Sequence, residues 1–376
     1  MALRFVHTSD WQLGRPFAEF DPDLAGKLSA ARLDAIEKIA QIARQQSAPH
    51  VIVAGDVWDN SAPSDRLLRQ PLDLMKSASD IAWYLLPGNH DPSERFGLWD
   101  RLRAMSVPPN IYLLTDPAPV QIGQEAVILP APWTSKAPGR DLTSHFESID
   151  TAPDVMRIGV AHGGVTEFFD QSPQSSRIDD NRAANSGLDY LALGDWHGMQ
   201  RINEKTWYSG TPEPDRFPKN DPGHVLVVEA ERNGPLKVSP IGTAAYIWTR
   251  NEIQCQIGLD PFEDLTKILD DCGPRHRRLC RLELTGVLKL DARIKFLAFI
   301  EQERQSLAHL RLKADKLLSA VDPETLNSID HEGTLRDTAN TLALRMEDEN
   351  LSEAERIIAR RALDYLAAFA SNTGAS

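Results

Sequence analysis

Five apolar, β-rich runs of five to seven residues each stop at a turn carrying Asp, Asn or His. They are Leu3–Ser9 before Asp10, His50–Ala54 before Gly55-Asp56, and Ile81–Leu86 before Gly88-Asn89-His90-Asp91. Met156–Ala161 before His162 and Leu188–Leu193 before Gly194-Asp195-Trp196-His197 complete the set. Runs this short and apolar predict buried strands. Helical patterns separate the first three. Asp21–Ser47 places Leu24, Leu28, Ala31, Ala35, Ile39 and Ile42 at helical spacing, and Ser64–Ser77 predicts a helix made irregular by Pro71. Strand–helix alternation of this kind predicts a layered α/β core. Open α/β sheets collect their sites just past the C-terminal ends of strands, where all five turns fall.

The rest of the chain has a different texture. Asn233-Gly234 between the apolar runs His224–Ala230 and Leu236–Ile241 predicts a hairpin. The first domain is therefore read as residues 1–245. Over residues 246–320, strand-like Tyr246–Ile257, Arg278–Thr285 and Ala308–Ala314 alternate with helical Pro261–Asp271 and Asp291–Gln305. That order predicts a small βαβαβ module. Residues 321–376 read as charged helices. Ala354, Ile357, Ile358, Ala362, Leu366 and Phe369 form an apolar stripe that must be covered by this chain or by a partner.

Composition excludes some classes. No apolar run approaches the ~18 residues that span a bilayer, so no membrane role is expected. Met1 to Asp10 reads as a strand rather than a signal peptide. The cysteines Cys255, Cys272 and Cys280 have no metal-type spacing, which fits a reducing cytoplasm. The formal net charge is −13, so long-range attraction of nucleic acid is not built into the chain as a whole.

Taken singly, a strand ending in Gly-Asp is commonly a turn or a helix cap. Five such endings in one chain make a cluster of oxygen and imidazole ligands. The chemistry that suits it is a two-cation site. One carboxylate, read as Asp56, would bridge divalent cations ~3.5–4 Å apart, and both would stabilise charge on a phosphoryl oxygen. His90 is read as the group that contacts the scissile phosphate or protonates the leaving oxygen. Asp91 is read as the carboxylate orienting that imidazole. Arg15 reads as a phosphate contact or as a surface ion pair.

In order and spacing, the five motifs resemble the calcineurin-like metallophosphoesterases. Within these, HTSDWQLGR, GDVWD, LLPGNHD and WYSGTPEPDRF are similar to the SbcD type of DNA repair nuclease. The resemblance implies a four-layer sandwich of two mixed β-sheets flanked by helices, then a small α+β capping domain over 246–320. It also implies that the helices of 321–376 dock an SbcC-like coiled-coil ATPase. DNA as substrate, a homodimer and two cations, Mn²⁺ or Mg²⁺, are further implications. Carried over, one cation would be held by Asp10, Gln12, Asp56 and His197, and the other by Asp56, Asn89, His162 and Asp195. His90 matches the catalytic histidine.

Two positions depart from the family pattern. Asp-x-His is here Asp10-Trp11-Gln12, and Gly-His-x-His is here Gly194-Asp195-Trp196-His197. Each replacement offers an oxygen, a good ligand for hard cations. The expectation is a working site that prefers Mn²⁺ or Mg²⁺ to Zn²⁺. The rival readings are a phosphoesterase acting on a nucleotide or other small phosphoester, and a DNA-binding or assembly subunit without metals.

Overall fold

The computed structural model describes residues 2–165, 177–217, 220–271, 273–320 and 333–373. It divides into two compact units, Met1–Tyr246 and Ile247–Ser376. The first unit opens with β1 (Leu3–Thr8), α1 (Pro22–Gln45), β2 (His50–Val53), α2 (Asp65–Ser77), β3 (Ala82–Leu85) and α3 (Leu98–Ala104). There follow β4 (Ile111–Leu113), β5 (Val120–Ile122), β6 (Ala126–Ala131) and β7 (Met156–His162). Short elements come next: β8 (Gly164–Val165), β9 (Arg177–Ile178) and α4 (Arg182–Asn185). The unit closes with β10 (Tyr190–Gly194), β11 (Gln200–Arg201), β12 (Thr206–Tyr208), β13 (His224–Ala230) and β14 (Leu236–Gly242).

These strands form two six-stranded mixed sheets, ordered β14-β13-β1-β2-β3-β4 and β11-β12-β10-β7-β6-β5. In the first, β1 to β4 run parallel and β13 lies antiparallel to β1. In the second, β6, β7, β10 and β12 run parallel, with antiparallel edges. Alternation along each strand sorts the layers. Phe5, Ile52, Ala54 and Tyr84 face Ile128, Ile158, Val160 and Tyr190 between the sheets. Val6, Val51, Val53 and Trp83 face the other way, onto Ile36, Ile39, Leu68 and Leu72 of α1 and α2. On the outer face of the second sheet, Leu129, Leu191 and Leu193 meet Phe146 and Ala183. The fold is thus a mixed α/β sandwich of two sheets with helices outside them.

Local chemistry explains the helices. Pro22 starts α1, and Asp21 caps it by accepting from the backbone of Asp23 and Leu24. Contrary to the expected irregularity, α2 runs unbroken through Pro71. A proline there removes the bond to the carbonyl four residues back, that of Leu67. Trp58 Nε1 donates to Leu67 O at 3.2 Å and takes up the freed acceptor.

At the end of the first unit, Glu213 accepts from the backbone of Ala245 (2.6 Å) and Tyr246 (3.0 Å). Burial pushes its carboxyl up from an ordinary 4.5 to about 7, against those two hydrogen bonds. The folded state therefore binds the extra proton. Stability is full below about pH 4.5 and is lost as pH rises toward 7, by roughly 3 kcal/mol. Glu213→Gln should reduce this slope, seen as a smaller fall in melting temperature between pH 5 and 7.5 in the variant than in the parent. A parent whose stability does not fall over this range would refute the assignment.

The second unit contains β15 (Ile247–Cys255), α5 (Pro261–Asp270), β16 (Arg278–Lys289), α6 (Leu290–Arg304) and β17 (His309–Ala320). Its strands make one parallel sheet, β15-β16-β17. β16 and β17 extend to 12 residues each, beyond the stretches their apolar alternation predicts. Leu265, Leu269, Phe296 and Ile300 cover the sheet. Two further helices, Thr334–Glu347 and Glu353–Thr373, pack on Leu290 through Ala339 and Leu363. The expected terminal stripe is displaced: Ile357 and Ile358 are 38% and 65% exposed, while Ala359 and Leu363 are buried. Asp364 sets this rotation by pairing with Arg293 (2.7 Å) and accepting from Ser319 Oγ (2.6 Å). The Phe369 side chain, Cys272 and residues 321–332 lie outside the described parts. Among the described residues, no helix is long and apolar enough to cross a membrane.

Candidate metal centre

The C-terminal ends of β1, β2, β3, β7 and β10 deliver the candidate residues. Asp10 and Gln12 follow β1, Asp56 follows β2, and Asn89, His90 and Asp91 follow β3. His162 ends β7, and Asp195 and His197 follow β10. Ligand atoms of Asp10, Asp56 and His162, all buried, lie within 4.8 Å of one another. Nine non-glycine residues among those described have positive φ, and four are candidates: Asp10 (54°), Gln12 (48°), Asp56 (53°) and Asp195 (101°). Such backbone costs of order 1–3 kcal/mol per residue and persists where the surroundings impose it. Here the turns are locked together: Asp10 N donates to Gly55 O and Gln12 N to Asp56 O, each at 3.0 Å. Asp195 N donates to both Asp10 carboxylate oxygens, at 3.1 and 3.2 Å. Gly194 must stay bare, because a Cβ there would stand 2.0 Å from Ala54 O.

His162 is the electrostatic hub. Its Nδ1 lies 2.9 Å from Ala54 O, which makes Nδ1 the donor and turns Nε2 into the site. Nε2 stands 2.8 Å from Asn89 Oδ1, 3.4 Å from Asp56 Oδ1 and 3.8 Å from Asp195 Oδ1. Burial opposes a charge on this ring, yet Asp56, Asp10 and Asp195 together raise its pKa well above the ordinary value. Burial likewise disfavours an ionised Asp56, but the His162 and His90 charges hold its pKa below the ordinary carboxylate value. Asp195 goes the other way, raised by burial and by the neighbouring Asp10 and Asp56. A pocket that pulls a proton onto a buried imidazole this strongly is one that favours a cation.

Gln12 Nε2 donates to Asp56 Oδ2 at 2.7 Å, which leaves Gln12 Oε1 buried without a hydrogen-bond partner. An unsatisfied buried oxygen costs ~1–3 kcal/mol. A divalent cation would satisfy it, so the residues present fit one. Asp10, Gln12, Asp56, Asn89 and Asp195 offer oxygen, and His162 and His197 offer nitrogen.

Other candidates lie at the rim. His90 is half exposed; its Nδ1 meets Asp59 O at 2.9 Å and its Nε2 stands 3.9 Å from Asp56 Oδ2. Asp91 does not orient that ring, contrary to the sequence expectation. Its side chain turns inward and is fully buried, accepting from Gly88 N (2.7 Å) and Trp58 N (3.1 Å). It ties the third turn to the second. Arg15 pairs with Asp59 at 3.6 Å and Asp215 at 3.4 Å. Asp215 is absent from the residues the sequence singles out, although its segment carries part of the resemblance. It is buried, and its Oδ2 lies 3.0 Å from His197 Nδ1.

Residues 3–230 match the family model of the Calcineurin-like phosphoesterases. The chain belongs to this family. It is 29% identical over 118 residues to the D subunit of the nuclease SbcCD from Staphylococcus saprophyticus, a match covering 30% of this chain and 29% of that relative's length. Solved structures similar to it include TT1561 of Thermus thermophilus (13% identity, TM-score 0.41, 64% of this chain and 99% of that one). Another is the purple acid phosphatase PPD1 of yellow lupin, Lupinus luteus (14%, TM-score 0.39, 65% and 52%). A third is GAP50, the anchor in the inner membrane complex of Plasmodium (13%, TM-score 0.41, 64% and 85%). For this calcineurin-like phosphoesterase, a candidate metal triad lies within the span that the family model covers.

Proposed function

We propose that the chain hydrolyses phosphodiesters with two divalent cations, that its substrate is DNA, and that it works in the cytoplasm beside an SbcC-like ATPase. The observation that carries the metal-dependent chemistry is the convergence of Asp10, Asp56 and His162 within 4.8 Å at the ends of strands from both sheets, and similarity to the D subunit of SbcCD supports DNA and the ATPase. Asp10, Gln12, Asp56 and His197 would hold one cation, and Asp56, Asn89, His162 and Asp195 the other. Cations there supply charge stabilisation for a phosphoryl oxygen. His90, half exposed and held through Nδ1, presents Nε2 to an incoming substrate and, as the imidazolium with a proton on each nitrogen, serves as the acid for the leaving oxygen. Arg15, fixed between Asp59 and Asp215, is placed to contact a phosphate.

Five oxygen donors against two imidazoles favour a hard cation. Titration should therefore give activity and tight binding with Mn²⁺, then Mg²⁺, and little with Zn²⁺. Tightly held zinc with full activity would contradict the donor reading. The net charge of −13 favours a second reading, a small phosphodiester as substrate. Linear and hairpin DNA assayed with Mn²⁺ beside a chromogenic diester decide between them. Cleavage of the small diester alone would remove DNA from the proposal.

A further inference from the structure

Asp215 is a buried carboxylate that lies beside the proposed ligand His197 and takes no part in holding a cation. Asp215 is 1% exposed. Its Oδ2 stands 3.0 Å from His197 Nδ1, 3.4 Å from Arg15 Nη1 and 3.9 Å from Arg32 Nη2, close enough to pair with each charge but hydrogen-bonded to none of them. Its Oδ1 accepts from Arg216 Nε at 3.2 Å. His197 Nδ1 has a second neighbour, Arg216 Nη2, at 2.9 Å. One ring nitrogen cannot serve both. With a proton, Nδ1 can donate to Asp215 but has no lone pair for Arg216. Without it, Nδ1 accepts from Arg216, and the proton of a neutral ring sits on Nε2. His197 Nε2 is 3.9 Å from Asp10 Oδ1, so the tautomer decides whether that side meets an N–H or a lone pair.

We propose that Asp215 is the positioning residue of His197, holding the proton on Nδ1 so that Nε2 offers its lone pair on the Asp10 side, while Arg216 competes for Nδ1 and gives it up when a cation binds. This rests on the reading that Asp10 and His197 hold a cation. The surroundings fit the two roles. Asp215 is buried beside the charges of Arg32 and Arg15, whereas the Arg216 side chain is 61% exposed, so water can replace its bond to Nδ1. The two partners of Nδ1 should therefore have opposite effects on cation binding.

Mn²⁺ binding, followed by the electron paramagnetic resonance of the free ion, tests this. Carboxylates behind a ligating histidine typically matter by 10–100-fold in metal affinity. Asp215→Asn should weaken one of two cations by about that factor. Arg216→Ala should tighten the same cation several-fold. Arg216→Gln, which loses the charge but keeps an N–H donor, should tighten it less. A purely structural role would make Asp215→Asn and Arg216→Ala both weaken binding, and a pure charge effect would make Arg216→Ala and Arg216→Gln equal. Either result overturns the proposal. Should Asp215→Asn fail to fold, ¹⁵N-histidine NMR of the wild-type protein decides. With saturating Mg²⁺, His197, identified by its loss in His197→Gln, should be the Nδ1–H tautomer, and Nε2–H would overturn the proposal. Wild-type protein that binds neither cation would overturn the reading of the site itself. Two bound cations with Asp215→Asn unchanged would overturn only the role of Asp215.

Discussion

Asp56→Asn is expected to cut phosphodiester hydrolysis by about 10³-fold or more and to abolish the binding of both cations. Asp56 is the only carboxylate proposed for both ligand sets, so its loss removes an anionic oxygen from each. Electrostatic stabilisation of a phosphoryl oxygen is worth several kcal/mol, and each 1.36 kcal/mol is tenfold in rate. The substitution also breaks the pair with His162 Nε2 at 3.4 Å, whose raised pKa depends first on the Asp56 charge among the groups that raise it. A readout independent of turnover is available. A cation held by the folded state alone stabilises it by about 2.7 kcal/mol at 100 times its Kd. For a unit of this size that is a rise in Tm of roughly 5–10 °C. The parent protein should show this rise with Mn²⁺, and Asp56→Asn should not. A variant that keeps both the rise and the rate would remove Asp56 from the centre of the site.

The site is legible in the sequence where its chemistry coincides with strand ends. Leu3–Ser9, His50–Ala54 and Met156–Ala161 are apolar because each strand is buried on both faces, so the polar residue that stops each run stands out. Asp10, Asp56 and His162 announce themselves in this way. Other features depend on contacts distant in sequence. Asp215 owes its place to His197, 18 positions earlier, and to Arg32, 183 positions earlier, and no local pattern encodes either. β4 to β6, over Ile111–Ala131, escape a sequence reading because they are short and interrupted by prolines, and the parallel pairing of β6 with β7 is what makes its strand. Pro71 misleads for the same reason, since the donor that rescues its helix is Trp58, from another turn. Asp91 illustrates the converse. Its neighbour in sequence, His90, suggests a partner, but the backbone turns the two side chains apart and Asp91 caps Gly88 and Trp58 instead.

Gly88→Ala should disable the site with a single methyl group. Its Cβ would stand 2.2 Å from Asp56 Oδ1 and 2.5 Å from Asp56 N. Gly88 has no positive φ, so the backbone itself would accept alanine and the clash is the whole effect. Neither side can yield cheaply. The Asp56 turn is held by Gln12 N donating to Asp56 O at 3.0 Å, and Gly88 N is held by the buried Asp91 carboxylate at 2.7 Å. Relief requires the second and third turns to part, which moves Asn89 and His90 away from Asp56. Displacements of about 1 Å at reacting groups cost ~10²-fold in rate, and overpacking costs about 1–3 kcal/mol of stability. The expected result is a folded protein, with Tm lowered by several degrees, whose cation affinity and rate fall together by about 10²-fold. Gly26→Ala in α1 is the matched control. Its Cβ would meet nothing within 4 Å, so it should stabilise by about 0.5–1 kcal/mol and leave the rate unchanged. If Gly88→Ala behaved like Gly26→Ala, the close approach of the second and third turns would not be what aligns Asn89 and His90 with Asp56.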